Sequence, residues 1–142
     1  MNRKALASWL LSIFLILPWT LAAAADQPSP DWQRWSDGQF PRAEETGKLV
    51  LLDLSAEWCG FCKQMDATTY QDPEVLALIE QYYIPVRIED EREPELAARF
   101  REFGRPGTLV YDGEGNELVI KKGYIKPQWM EWMLQALVQE HL

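Results

Sequence analysis

Cysteine is nearly missing from this chain: Cys59 and Cys62 are the only two in 142 residues. Histidine is scarcer still, with His141 alone, next to the last residue. Structural zinc takes four ligands, mostly Cys and His. Two cysteines and one remote histidine do not supply them, so no metal and no cofactor is expected. Basic residues are also short, at 14 Lys and Arg against 22 Asp and Glu, for a formal net charge of −8. Nucleic-acid phosphates call for a basic footprint, which argues against a nucleic-acid partner. The acidity reads as ordinary solubility rather than as a specific basic partner. No internal repeat is visible, and the one low-complexity tract is the run Ala22 to Ala25.

That run closes a distinctive N-terminus. Arg3 and Lys4 make a basic start, and no charge follows from Ala5 to Ala25. Leu10, Leu11 and Ile13 to Leu17 form an apolar centre interrupted by Pro18, and small residues precede Asp26. This is the anatomy of a cleaved secretory signal over residues 1–25. The competing reading is a retained inner-membrane anchor with the domain facing the periplasm, since the stretch is about 20 residues long. Pro18 and the Ala-x-Ala site favour cleavage. Export places the chain in a disulfide-permissive compartment, periplasmic or secreted. Cleavage would remove Arg3 and Lys4 and deepen the net charge to −10.

The two cysteines stand in Trp58-Cys59-Gly60-Phe61-Cys62. The apolar run Leu49 to Leu52, continuing through Asp53 to Leu54, reads as a buried strand just before them. Lys63 to Asp66 favours helix. The first thiol therefore sits where a strand hands over to a helix. Free amides and the positive end of the helix dipole favour an anion there. That location lowers a thiol's pKa, and the thiolate is the nucleophile of disulfide exchange. Cys62, three residues on, can attack a mixed disulfide formed by Cys59. A structural disulfide, a metal half-site and two inert buried thiols are the alternatives. A bridge across three residues removes little loop entropy, and Cys-x-x-Cys near a βαβ pattern points to redox chemistry.

The rest of the chain supplies that pattern. Residues 26–47 read as a leader with short helices. Ser29-Pro30-Asp31 is placed to cap one carrying Trp32 and Trp35, and a helical turn at Ala43 to Thr46 ends at Gly47. Residues 48–142 read as the domain. Asp72-Pro73 opens a helix with Val75, Leu76, Ile79 and Tyr82 on its apolar face. Tyr83 to Ile88 is a second strand, and Pro94 starts another helix. Thr108 to Tyr111 and Glu117 to Ile120 make a hairpin, and Pro127 opens a last helix. The order predicts an α/β fold, a central mixed sheet with helices on both faces.

With these residues in hand, the sequence resembles the thioredoxin superfamily. Ala56 to Lys63 matches that family's active-site motif except at Phe61. Asp53, six residues before Cys59, matches its buried acid, and Gly104-Arg105-Pro106 is similar to its Gly-x-Pro segment. The likeness covers roughly Lys48 to His141. Thr68-Thr69-Tyr70 with Asp72-Pro73-x-Val75 further resembles the periplasmic C-terminal thioredoxin-like domain of reductases of the DsbD type.

The resemblance implies a thioredoxin-like fold and a thiol–disulfide oxidoreductase with a redox-active Cys59–Cys62 disulfide. Cys59 would be the attacking thiol, Cys62 the resolving one, and Asp53 the proton acceptor for Cys62. Substrate would be bound by Trp58, a cis Pro106, Arg105 and Gly107. Gly107 departs from the family's usual Thr, and Arg105 from its small or β-branched residue. Arg105 is a candidate to lower the pKa of Cys59, to hold an anionic substrate group, or simply to point to water or pair with an acidic neighbour such as Glu57 or Glu102. Arg87 matches the family's basic residue near the acid only loosely. The implied partners are protein disulfides or dithiols and a membrane electron donor, with the chain a monomer. The reducing direction is slightly preferred, and a non-catalytic binding or chaperone module is the alternative.

Overall fold

The computed structural model describes residues 27–142. The secretory-signal reading of residues 1–25 lies outside the described residues. Five strands form one mixed sheet: β1 (Gln33–Arg34), β2 (Leu49–Ser55), β3 (Tyr83–Glu89), β4 (Gly107–Tyr111) and β5 (Glu117–Lys122). Their spatial order is β1-β3-β2-β4-β5. β1, β3 and β2 run parallel, and β4 and β5 join antiparallel. β2 is thus central, and each of its seven residues is buried. A strand covered on both faces needs a nearly continuous apolar run, which Leu49 to Leu54 provides with Asp53 as the one exception.

Residue parity divides the core. Leu49 and Leu51 of β2 and Tyr83 of β3 face a cluster with Met65, Val75, Ile79, Met130 and Leu134. These come from α2 (Gly60–Ala67), α3 (Pro73–Tyr82) and α5 (Pro127–His141). Val50, Leu52, Leu54, Ile84, Val86 and Ile88 face the other side, with Ala43 and Ala97. Those two belong to α1 (Gln39–Thr46) and α4 (Pro94–Arg99). Helices therefore cover both faces, and the α/β architecture is as the element order predicts. Asp72 caps α3 by accepting from the amides of Glu74 and Val75, with Pro73 in the first turn.

One local expectation is corrected. Residues 29–35 are not helical; Gln33 and Arg34 form β1, paired with Val86 and Arg87. The anchors are aromatic. The Trp32 ring meets Tyr70 edge-on at 4.8 Å, and Trp35 packs on Phe40 and Phe100. One Trp therefore serves each face of the sheet, which needs the alternation of a strand rather than the single face of a short helix. The sheet thus begins N-terminal to residue 48.

Candidate active site

β2 ends at Ser55, and Cys59 follows as the N-cap of α2. Cys59 and Cys62 are disulfide-bonded, with Cα atoms 5.3 Å apart. The Cys59 sulfur also accepts the amide of Cys62 at 3.1 Å. This bond treats the two thiols differently. Negative charge on Cys59 is met by a helix-start amide and the helix dipole, and Cys62 lies within the first turn. Both cysteines are nearly inaccessible, at 3% and 4% exposure, whereas Trp58 and Phe61 beside them are 70% and 61% exposed. Two large apolar side chains are thus left in water beside a buried disulfide.

Two segments hold the site from the side. Asp90, just past β3, donates its amide to the Ser55 carbonyl at 3.1 Å. Glu91 accepts the Glu57 amide at 3.0 Å. The residues leading to Cys59 are thus gripped by the acidic turn after β3. On the other flank, the Arg105–Pro106 peptide is cis. Pro106 is buried, and the next residue, Gly107, pairs with Leu54 at the end of β2 nearest the cysteines. A Cβ on Gly107 would lie 2.9 Å from Leu54 Cδ1 and 3.1 Å from the carbonyls of Phe103 and Gly104. That close packing accounts for glycine at this position.

Arg105 meets an acidic neighbour rather than water. Its side chain is buried, and Nε donates to Asp90 at 2.7 Å. Its terminal nitrogens donate to the carbonyls of Ala97, Phe100 and Gly104 at 2.8 to 3.2 Å. It pairs with neither Glu57 nor Glu102, and among the described residues it donates no hydrogen bond to a sulfur. The guanidinium clips the Pro106 loop to the end of α4 and to Asp90. Between this clip and Trp58 lies a groove of about 460 Å³, walled by Ala97, Ala98 and Arg101.

On β2, six residues before Cys59, Asp53 is buried on the α2 face of the sheet. Its partner is Arg87, directly opposite on β3. Arg87 Nε donates to Asp53 Oδ2 at 2.8 Å, and the Tyr70 hydroxyl donates to Oδ1 at 2.9 Å. Arg87 also reaches Asp66 of α2 at 2.6 Å and lies 4.3 Å from the Trp32 ring centre. Burial pushes the Asp53 carboxyl above its ordinary range, against the downward pull of Arg87 and the Tyr70 bond. Tyr70 is pushed up in turn, by its own burial and by the Asp53 charge. A buried carboxylate without partners would be far more costly.

Sequence reasoning gave Arg87 little weight and did not single out Tyr70, Asp66, Trp32 or Asp90 for this site. A usable signal existed for Arg87: it shares strand parity with the inward-facing Tyr83. A charged residue at such a position demands a counter-charge, and Asp53 was the unexplained acid.

A family model, for the DsbH thioredoxin-like group and described as "Protein of unknown function, DUF255", matches residues 18–108. Among characterised relatives, the chain is 33% identical over 82 residues to the thiol:disulfide interchange protein DsbD of Ralstonia nicotianae. It is 35% identical over 77 residues to the protein of that name from Escherichia coli K12. These alignments take in 56% and 52% of this chain but only 14% of each relative. Among solved structures, the oxidised C-terminal domain of Neisseria meningitidis DsbD is 30% identical, with a TM-score of 0.54, over 69% of this chain and 89% of that one. A putative disulphide-isomerase of Bacteroides thetaiotaomicron aligns with a TM-score of 0.64 at 20% identity, over 83% of this chain and 99% of that one, a likeness of fold.

Proposed function

From the premise that this chain belongs to the DsbH/DUF255 family of thioredoxin-like proteins, we propose that it is an exported thiol–disulfide oxidoreductase that reduces disulfides in protein substrates. The observation that carries this reading is the Cys59–Cys62 disulfide, capping α2 beneath exposed Trp58 and Phe61. The name of these relatives, thiol:disulfide interchange protein, supports it.

The chemistry starts from the dithiol. The Cys59 thiolate attacks one sulfur of the partner's disulfide, and that S–S bond breaks. The partner's other sulfur leaves as a thiolate and takes up a proton. Cys62 then loses its proton and attacks the Cys59 sulfur of the mixed disulfide. The second partner thiol is released, and Cys59–Cys62 holds the new disulfide. Two electrons have passed to the partner, and a dithiol donor restores the starting state. Trp58 and the 460 Å³ groove beside it seat the substrate. Pro106 and Gly107 line its approach, and Arg105 fixes their loop.

Asp53 is the base for Cys62. Burial raises its proton affinity above that of a free carboxyl, against the opposing pull of Arg87 and of the Tyr70 bond. Direction is decided by the reduction potential. Equilibration in glutathione buffers, with the two thiols counted by alkylation, measures it. A value near about −270 to −230 mV fits a reductant, and one near about −120 mV, as in DsbA, refutes that direction.

A further inference from the structure

Away from the sulfurs, a second groove of about 760 Å³ runs between β5 and α5. Its walls include Tyr124, Trp129 and Trp132, and its rim carries Lys121, Lys122 and Lys126. We propose that this groove binds an extended segment of the redox partner that alternates acidic with apolar or aromatic side chains. The proposal rests on the oxidoreductase reading and names the chemistry of the partner.

Four observations lead there. First, Trp129 and Trp132 are 59% and 47% exposed, yet their rings are held edge-to-face at 5.2 Å. Two fixed aromatics give contact area at little entropic cost. Second, the charge runs against the rest of the chain. The formal net charge is −8, but among the described residues no Asp or Glu lines this groove and three lysines do. All three are exposed, and none forms an ion pair among the described residues.

Third, β5 is an edge of the sheet, so its outer backbone groups are open to an added strand. Fourth, one end of the groove adjoins the redox site. Tyr124 lines it and also faces Phe61 of the cysteine motif, with ring centres 6.5 Å apart. Just past β5, Gly123 donates its amide to the Pro106 carbonyl at 2.8 Å. A chain seated in the groove therefore leads to Cys59. The concave shape favours a strand-like segment over a flat bilayer.

The test separates binding from redox chemistry. The probe is a fluorescent six-residue peptide alternating Glu with Leu and Phe, beside a twin with Lys for each Glu. Anisotropy is read on Cys59→Ser/Cys62→Ser protein, which cannot exchange disulfides. The acidic peptide should bind about tenfold tighter than its twin, the sum of a few exposed charge contacts. That gap should narrow from about 0.02 M to about 0.5 M salt as the Debye length falls. Lys121→Glu/Lys122→Glu/Lys126→Glu should reverse the preference, and the three Lys→Arg changes should keep it. Trp129→Ala/Trp132→Ala should weaken both peptides.

In wild-type protein, the acidic peptide carrying a disulfide should show a KM about tenfold below its twin's. The rate with bis(2-hydroxyethyl) disulfide should be the same in the groove variants as in wild type. If wild type fails to reduce that small disulfide, the oxidoreductase reading falls, while the anisotropy still decides the groove. Equal binding of the two peptides overturns the proposal, as does a preference that survives the three Glu changes. So does a homodimer in sedimentation that Trp129→Ala/Trp132→Ala dissociates, or lysine-dependent binding to phosphatidylglycerol vesicles without peptide preference.

Discussion

Replacing Arg87 with Met should be the most informative single change beneath the active site. Among the described residues Arg87 supplies the only cation bonded to the Asp53 carboxylate, and both side chains are largely shielded from water. Removing one partner of a buried pair strands the other, at a cost of about 3–5 kcal/mol. Against a domain stability of roughly 5–15 kcal/mol, that is a large share. The deficit should depend on pH. Without Arg87, burial drives the Asp53 carboxyl still further up, so it accepts a proton as pH falls and the stranded charge disappears. What then remains is the half-exposed contact to Asp66 and the stacking on Trp32, together about 1–2 kcal/mol. Urea unfolding of the oxidised protein at pH 7 and pH 4 measures both figures. Adding Asp53→Asn to Arg87→Met should recover most of the pH 7 loss, because no charge is left behind. A loss below about 1 kcal/mol at pH 7 would refute the reasoning. So would an equal loss at both pH values.

Asp53→Asn alone should change the slope of stability with pH. The folded carboxyl lies above its ordinary value of 3.8, so its contribution is fully present below that value and is lost as pH rises through the folded pKa. Relative to wild type, the Asn protein should therefore gain stability in urea from pH 4 to pH 7; a flat difference would show no shift. Trp58→Ala should raise KM for a protein disulfide severalfold while moving stability by no more than about 0.5 kcal/mol, because the ring is mostly in solvent. Gly107→Ala should cost about 1–3 kcal/mol by overpacking against Leu54 and two carbonyls, read as a lower urea midpoint.

Much of the fold was legible because its signals are local. The run from Leu49 to Leu54 reads as a fully buried strand without knowledge of its neighbours. Asp72-Pro73 writes its own helix start. The stretch around Trp32 and Trp35 misled because Pro30 and Asp31 fit a helix start equally well, and the deciding partner is β3, some fifty residues away. The site divides the same way. The cysteine motif and the position of Asp53 could be read in one dimension. The Arg87 pairing could not, since it depends on the register that sets Asp53 against Arg87. Arg105 shows the limit most clearly. Its charge left the sulfurs, a substrate anion and an acidic neighbour all open, and its length lets it reach Asp90 and the carbonyls at the end of α4. Only the fold shows those acceptors waiting there.

The central claim is that Cys59 attacks and Cys62 resolves. Cys62→Ser and Cys59→Ser proteins, each reduced and then mixed with a protein disulfide, test it by mass spectrometry of the products. The Cys62→Ser protein should accumulate a mixed disulfide at Cys59, because the helix-start amides favour that thiolate and nothing remains to displace it. The Cys59→Ser protein should accumulate little. Equal trapping by both, or by neither, would contradict the assignment.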